Sequence, residues 1–261
     1  MKKCLFLLLG LTFLGAGCSF FSTQDDPNTE EPESNIVLES PADGSIVTSP
    51  LTLSGRARVF ENVVSWSILD HSGVSVLEGN VIANAPDTGE FGDFEARIFL
   101  PVLEDENFTL EVFTYSAMDG SQQDVVTRSL KLDSLEKTSV DVYFMDAAAA
   151  EYGDCSAVDF EKRTMAYTTN VAELALSELL SGPTSEWATT VVPNFTTIKS
   201  VSVKNGVATV EFESPDINEW SGGSCRVTAM RAQIEKTLMQ FDTVDSVVVS
   251  VNGEEETIFQ P

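Results

Sequence analysis

The chain has 261 residues and a formal net charge of -26 at neutral pH. So acidic a surface repels polyanions, which argues against nucleic acid or a peripheral anionic lipid surface as partner and leaves cations and basic proteins open. The length accommodates two ordinary domains.

Lys2 and Lys3 form a short basic start, and Leu5 to Leu14 is an apolar run broken only by Gly10 and Thr12. Gly15-Ala16-Gly17 then supplies small residues before Cys18. Residues 1–17 therefore read as a secretory signal, too short to span a bilayer. A cysteine directly after small residues predicts cleavage and lipidation of its sulfur, as in bacterial lipoproteins, with Gly15 standing where an aliphatic residue is usual. Acyl chains on Cys18 would hold the protein at the cell membrane, on the extracytoplasmic face. Ordinary secretion is the alternative. No later apolar run approaches the length of a span, so the lipid is the only membrane attachment expected.

Residues 18–35 are rich in Ser, Thr, Asp, Glu and Pro and offer almost nothing to bury. Such a segment cannot offset its own ordering entropy and is expected to act as an extended acidic tether.

Residues 36–133 predict an all-β immunoglobulin-like sandwich. Leu51, Leu53, Gly55, Ala57 and Val59 alternate with polar residues at period two, the mark of a strand with one buried face. Similar runs follow at Trp66 and Ile68, at Phe94 to Leu100, at Leu110 to Thr114, and at Val126 to Leu132, with an irregularity expected in the last. Turn signals separate them at Pro41-Ala-Asp-Gly44, His71-Ser-Gly73, Pro86-Asp-Thr-Gly89 and Asp119-Gly120. About seven short strands fit a sandwich with Trp66 as its central aromatic and no inter-sheet disulfide.

Residues 139–256 predict an α+β domain in the order β-β-α-β-β-α-β, with two helices packed on one face of a sheet. Val140 to Met145 reads as a strand and Arg163 to Tyr167 as a second. Thr169 or Asn170 is placed to cap a helix whose Ala172, Ala175, Leu176 and Leu179 share a face, and Gly182-Pro183 ends it. Asn205-Gly206 predicts a type I′ hairpin, because both positions accept positive φ. Pairing across it gathers Val201, Val203, Ala208, Val210 and Phe212 on one face. Val227, Met230, Ile234, Leu238 and Phe241 make the apolar stripe of a second helix from about Ser224, and Val244 to Val251 is a final buried strand.

Cys4 leaves with the signal and Cys18 takes the lipid, so Cys155 and Cys225 remain. An even pair in an exported chain reads as a disulfide. Closing that loop contributes up to about 4 kcal/mol on the loop-entropy argument. A redox pair is the alternative, since Cys225 lies near a helix start. The spacing is not Cys-x-x-Cys, however, and Arg226 is the only basic neighbour of either cysteine.

These segments resemble two bacterial families. Ala172-Glu-Leu-Ala-Leu-Ser-Glu-Leu-Leu-Ser-Gly-Pro-Thr184, Ser200 to Phe212, and Gly222-Gly-Ser224 leading to Gln233 and Thr237-Leu-Met-Gln-Phe241 resemble the GerM-type sporulation and germination domain (GerMN), as does Val244 to Gly253. Ser40-Pro-Ala-Asp-Gly44, Leu53-Ser-Gly55, Trp66 and Gly92-Asp-Phe94 are similar to the immunoglobulin-like domain associated with spore germination proteins. The resemblance implies a non-catalytic envelope lipoprotein whose second domain is similar to motifs that build protein rings, so self-association is among its implied partnerships. It carries over no catalytic residue and does not cover the disulfide.

The search for chemistry is spare. His71 is the only histidine and sits in a turn between Asp70 and Ser72, where adjacent side chains point apart and do not make a triad. One histidine and a bonded cysteine pair do not assemble an ordinary zinc site. Asp87, Glu90 and Asp93 could gather a calcium ion in a loop, but lack the spacing of a helical calcium hand. Gly222-Gly223-Ser224 could hold an anion or simply start a helix. Trp187 and Trp220 lie beside loops and are the candidate contacts for a partner protein or a sugar, against the plainer reading that each packs on its own domain. The expectation is a non-enzymatic, lipid-anchored envelope protein that binds or scaffolds other envelope proteins, with no cofactor and no metal. The alternatives are a carbohydrate or cell-wall binding module and, on abundant acids alone, an envelope hydrolase.

Overall fold

A computed structural model describes residues 34–87 and 89–255. The expected signal, the expected lipidation site Cys18 and the expected tether lie outside these residues, apart from Ser34 and Asn35. The chain from Ser34 onward forms one compact unit with two hydrophobic cores.

The first core lies between two sheets. Strands β1 (Ile36–Ser40), β2 (Ile46–Val47), β3 (Leu51–Ala57), β4 (Val63–Leu69), β5 (Ser75–Ile82), β6 (Gly92–Ile98), β7 (Asn107–Tyr115) and β8 (Gln122–Leu132) make them up. One sheet has the order β1-β3-β6 and the other β2-β8-β7-β4-β5. All pairs are antiparallel except β2 with β8. Leu51, Leu53, Gly55 and Ala57 point inward in β3, as their period-two spacing requires. Gly55 is needed for closeness, because a Cβ there would lie 2.2 Å from the Val37 carbonyl oxygen. Trp66 is buried and lies opposite Gly79, whose missing side chain makes room for the indole.

The irregularity expected within Val126 to Leu132 falls elsewhere. Val126, Arg128 and Leu130 pair regularly with Val112, Leu110 and Phe108, and the register shifts between Val112 and Thr114. Arg128 keeps the inward-alternating position because its guanidinium donates to the Leu38 carbonyl. Strand β5, which shows little apolar alternation, borders the five-stranded sheet and is largely exposed on one face.

Entry and exit of the chain lie at opposite ends of this sandwich. Asn35 enters beside the end of β3 and the start of β8, where Arg58 N–H donates to its carbonyl and its amide donates to Asp124. Leu132 leaves at the other end, where its amide donates to Glu106. The eleven residues of β8 separate the two points by about 35 Å at the rise of an extended strand.

The second core is built from β9 (Lys137–Asp146), α1 (Ala147–Glu151), β10 (Val158–Ala166), α2 (Val171–Leu180), β11 (Ala188–Thr189), β12 (Thr197–Lys204), β13 (Val207–Glu213), a 3-10 turn (Ile217–Trp220), α3 (Ser224–Met239) and β14 (Ser246–Val251). The expected single sheet is instead two, ordered β10-β9-β11 and β12-β13-β14. Helices α2 and α3 pack on β9 and on each other, and reach the second sheet through β12 and β14 respectively. Short α1 and β11 are additions to the expected order.

Local chemistry explains the junctions. Asn205 and Gly206 take φ of 52° and 81°, and Val201 and Val203 face Val210 and Ala208 across the hairpin. Gly206 is also a docking point: Asp245 N–H donates to its carbonyl, and the Asp245 carboxylate occupies the space a Cβ would need. Helix α2 starts after Asn170 without a side-chain cap and stops at Gly182, with φ of 84°.

At β9 the partner strand β11 is only two residues long. Farther along, helix α3 supplies the missing partners. Gln240 accepts from Asp141 N–H and donates to its carbonyl, and Thr237 Oγ1 accepts from Tyr143 N–H. Two polar residues of the Thr237 to Phe241 signature thus satisfy a strand edge that would otherwise be buried unpaired.

Candidate interaction surface

Cys155 and Cys225 form a disulfide with Cα atoms 5.1 Å apart, inside the normal range. It ties the connection between α1 and β10 to the first turn of α3. Beside it, residues of two loops enclose an open groove of about 490 Å³. Thr190, Pro193 and Asn194 form one wall; Asn218, Ser221 and Arg226 line the other. Arg226 is fixed there by donating to the Glu219 carbonyl.

Trp187 and Trp220 part company. Trp220 is 0% exposed and its ring lies 5.1 Å from that of Phe212, so it is a core residue and not a surface contact. The 3-10 turn explains this: Asp216 caps it by accepting from Asn218 N–H, and the turn faces Asn218 and Ser221 to the groove while Trp220 faces the core. Trp187 is 36% exposed, and its carbonyl accepts from Ala147 N–H, so it remains available at the surface. Sequence reasoning passed over Phe195, 86% exposed with φ of 62°, in the loop that follows Asn194. A bulky residue in the left-handed region is strained; its only trace in the sequence is a lone aromatic in a polar loop.

A buried carboxylate sets the turn below α2. Glu161 accepts from the amides of Thr184 and Ser185 and from the Thr184 hydroxyl, and pairs with Arg163. Burial pushes its carboxyl up, but the Ser185 and Thr184 amides outweigh this and hold it at about 2. Arg163 also donates to the Gly182 carbonyl. Burial moves the neighbouring Glu178 upward, with Arg163 opposing. The Gly182-Pro183-Thr184 signature is therefore a structural latch. Nothing in the sequence links Glu161 to it, because the partners are backbone amides more than twenty residues away.

His71 stands in an exposed turn where the Ser72 hydroxyl donates to Asp70 and not to the imidazole. Among the described residues no group of three or more His, Cys, Asp or Glu side chains has the arrangement of a metal site. The Gly222-Gly223 segment leads into α3, with Gly223 at the N-cap position.

The two folds define a class: an immunoglobulin-like sandwich joined to an α+β domain. Residues 35–121 match the family described as the immunoglobulin-like domain of bacterial spore germination, and residues 141–257 match the sporulation and spore germination family. The chain carries one domain of each. Among solved structures it is similar to the tandem GerMN domains of the sporulation protein GerM from Bacillus subtilis, with 19% identity and a TM-score of 0.35 over 46% of this chain and 41% of that one. The first GerMN domain of the same protein is 25% identical, with a TM-score of 0.35 over 45% of this chain and 85% of that one. CopC from Methylosinus trichosporium OB3b is 22% identical, with a TM-score of 0.27 over 39% of this chain and 94% of that one. The chain thus spans about two fifths of the tandem GerMN protein. No curated protein matches it.

Proposed function

We propose that the protein is a non-enzymatic, lipid-anchored component of the cell envelope, fixed to the membrane through Cys18, whose GerM-type domain binds or scaffolds other envelope proteins. The observation that carries this reading is the placement of Asn35 and Leu132 at opposite ends of the sandwich. An anchor before Asn35 leaves the second domain at the far end, about 35 Å farther from the chain's point of entry. There the second domain offers a partner an open polar recess and the exposed rings of Trp187 and Phe195, the latter next to Asn194 of the recess wall. Aromatic anchors beside a recess are the usual sources of binding energy at protein interfaces.

Affinity capture from crosslinked membranes tests it. The expected result is a reproducible set of envelope proteins that is lost on Trp187→Ala or Phe195→Ala, with the chain itself in the membrane fraction and acylated at Cys18. An unacylated chain that retains its leader overturns the anchoring. Hydrolytic turnover of cell-wall material by the purified protein overturns the non-enzymatic assignment.

A further inference from the structure

The end of the sandwich where the chain enters carries an apolar patch that neither core uses. Phe60, Ile82, Tyr115 and Met118 are 63%, 60%, 49% and 93% exposed. They belong to separate segments that the fold brings together. Ile82 pairs with Val63; the Val63 carbonyl accepts from Thr114, the residue before Tyr115; and Ala83 N–H donates to the Asn62 carbonyl, two residues after Phe60. Met118 tops the turn between β7 and β8, closed by Gly120 N–H on the Ser116 carbonyl. Glu61 and Asn62 follow Phe60 with φ of 53° and 59°. Two successive non-glycine residues in the left-handed region are costly, and the fold maintains them where Phe60 is turned to solvent.

We infer that this patch is a membrane seat: Phe60 and Met118, at the tips of two loops, insert into the bilayer interface to which Cys18 is anchored. The inference rests on the anchoring reading above. Fifteen residues separate Cys18 from Ser34, and they join the sandwich at Asn35, bonded to Asp124 and Arg58 at this same end. Fully extended, a connection of that length reaches at most about 55 Å. It presents the patch to the bilayer at an effective concentration of about millimolar, so weak insertion of a few apolar side chains suffices. The rim is acidic through Glu61 and Asp119, and the chain as a whole is strongly negative. Contact is therefore apolar, opposed by anionic headgroups, and strengthened on anionic bilayers when salt screens that repulsion.

The test uses the chain from Cys18 onward, which contains the whole compact unit beginning at Ser34. Cys155 and Cys225 are bonded, so Cys18 alone couples to a maleimide lipid in phosphatidylcholine vesicles doped with a photoactivatable phospholipid. Peptides carrying Phe60 and Met118 should be labelled several-fold more than those carrying Phe195, a ring on the second domain that is more exposed than Phe60. Phe60→Glu with Met118→Glu should abolish the difference, and Phe195→Glu should not. Replacing part of the lipid by phosphatidylglycerol should lower the labelling at low salt and restore it at high salt. Uniformly low labelling overturns the seat, as does crosslinking of this end to a second copy in its place. Because the coupling is made chemically, this outcome is separate from whether Cys18 is acylated in cells, which mass spectrometry of the membrane fraction reads.

Discussion

Phe99 and Ala166 are exchanged between the two cores: Phe99, just past the last strand of the smaller sandwich sheet, is buried in the second core, and Ala166 of β10 is buried in the first. Ala166 N–H donates to the Leu100 carbonyl, and Pro101 bridges Met165. Outside this seam Arg97 grips Glu173 of α2 through two parallel hydrogen bonds of 2.6 and 2.8 Å. The two domains are thereby joined through their interiors, which fits a rigid spacer better than beads on a string.

The exchange predicts coupled stability. Phe99→Ala should destabilise the second domain by about 3–4 kcal/mol through lost burial and the cavity left behind, and should blur the single transition in denaturant titrations followed by domain-specific probes. Arg97→Ala should cost under about 1 kcal/mol, since its guanidinium is substantially exposed.

Loss of the disulfide should act through the second domain, which holds both cysteines. The bridge closes a sequence separation of 70 residues, worth up to about 4 kcal/mol in loop entropy. Cys155→Ser with Cys225→Ser, measured by chemical denaturation, should lower stability by up to that amount and move the shared transition to lower denaturant.

Acid should weaken the latch below α2 in a defined window. The Glu161 carboxyl is depressed from its ordinary 4.5 to about 2, so its contribution is complete above about pH 4.5 and fades as pH falls toward 2. At most it amounts to about 3 kcal/mol. Glu178 is shifted the other way by burial, so its protonation adds stability as pH first declines toward 4.5. Stability against pH should therefore rise slightly and then drop. Glu161→Gln should be less stable at neutral pH and should lose the acid limb.

Gln240→Leu should expose how the edge of β9 is held. It leaves the Asp141 N–H and carbonyl without the partners Gln240 supplies, a cost of about 1–3 kcal/mol. Hydrogen exchange should show faster opening at Asp141 while β13 remains protected.

Trp220→Ala should behave as a core truncation costing about 3–5 kcal/mol, whereas Trp187→Ala should leave the melting profile nearly unchanged. Equal losses for the two, measured by thermal unfolding, would contradict their different environments.

Period-two runs, Asn205-Gly206, Gly182-Pro183 and the stripe from Val227 to Leu238 were legible in the sequence because each follows from the local geometry of one element. The cysteine pair is legible by counting, on the expectation that Cys4 leaves with a signal and Cys18 takes a lipid. What the tertiary structure decided is everything that depends on distant backbone. It turned Trp220 inward, because a capped 3-10 turn and not hydropathy sets its direction. It split the second domain's strands into two sheets, because α3 occupies an edge of β9. It bound Glu161 to the Thr184 and Ser185 amides, and it brought Phe60, Ile82 and Met118 to one end of the sandwich. Such relationships arise when separate segments meet, and a pattern along the chain records only which side chains each segment brings.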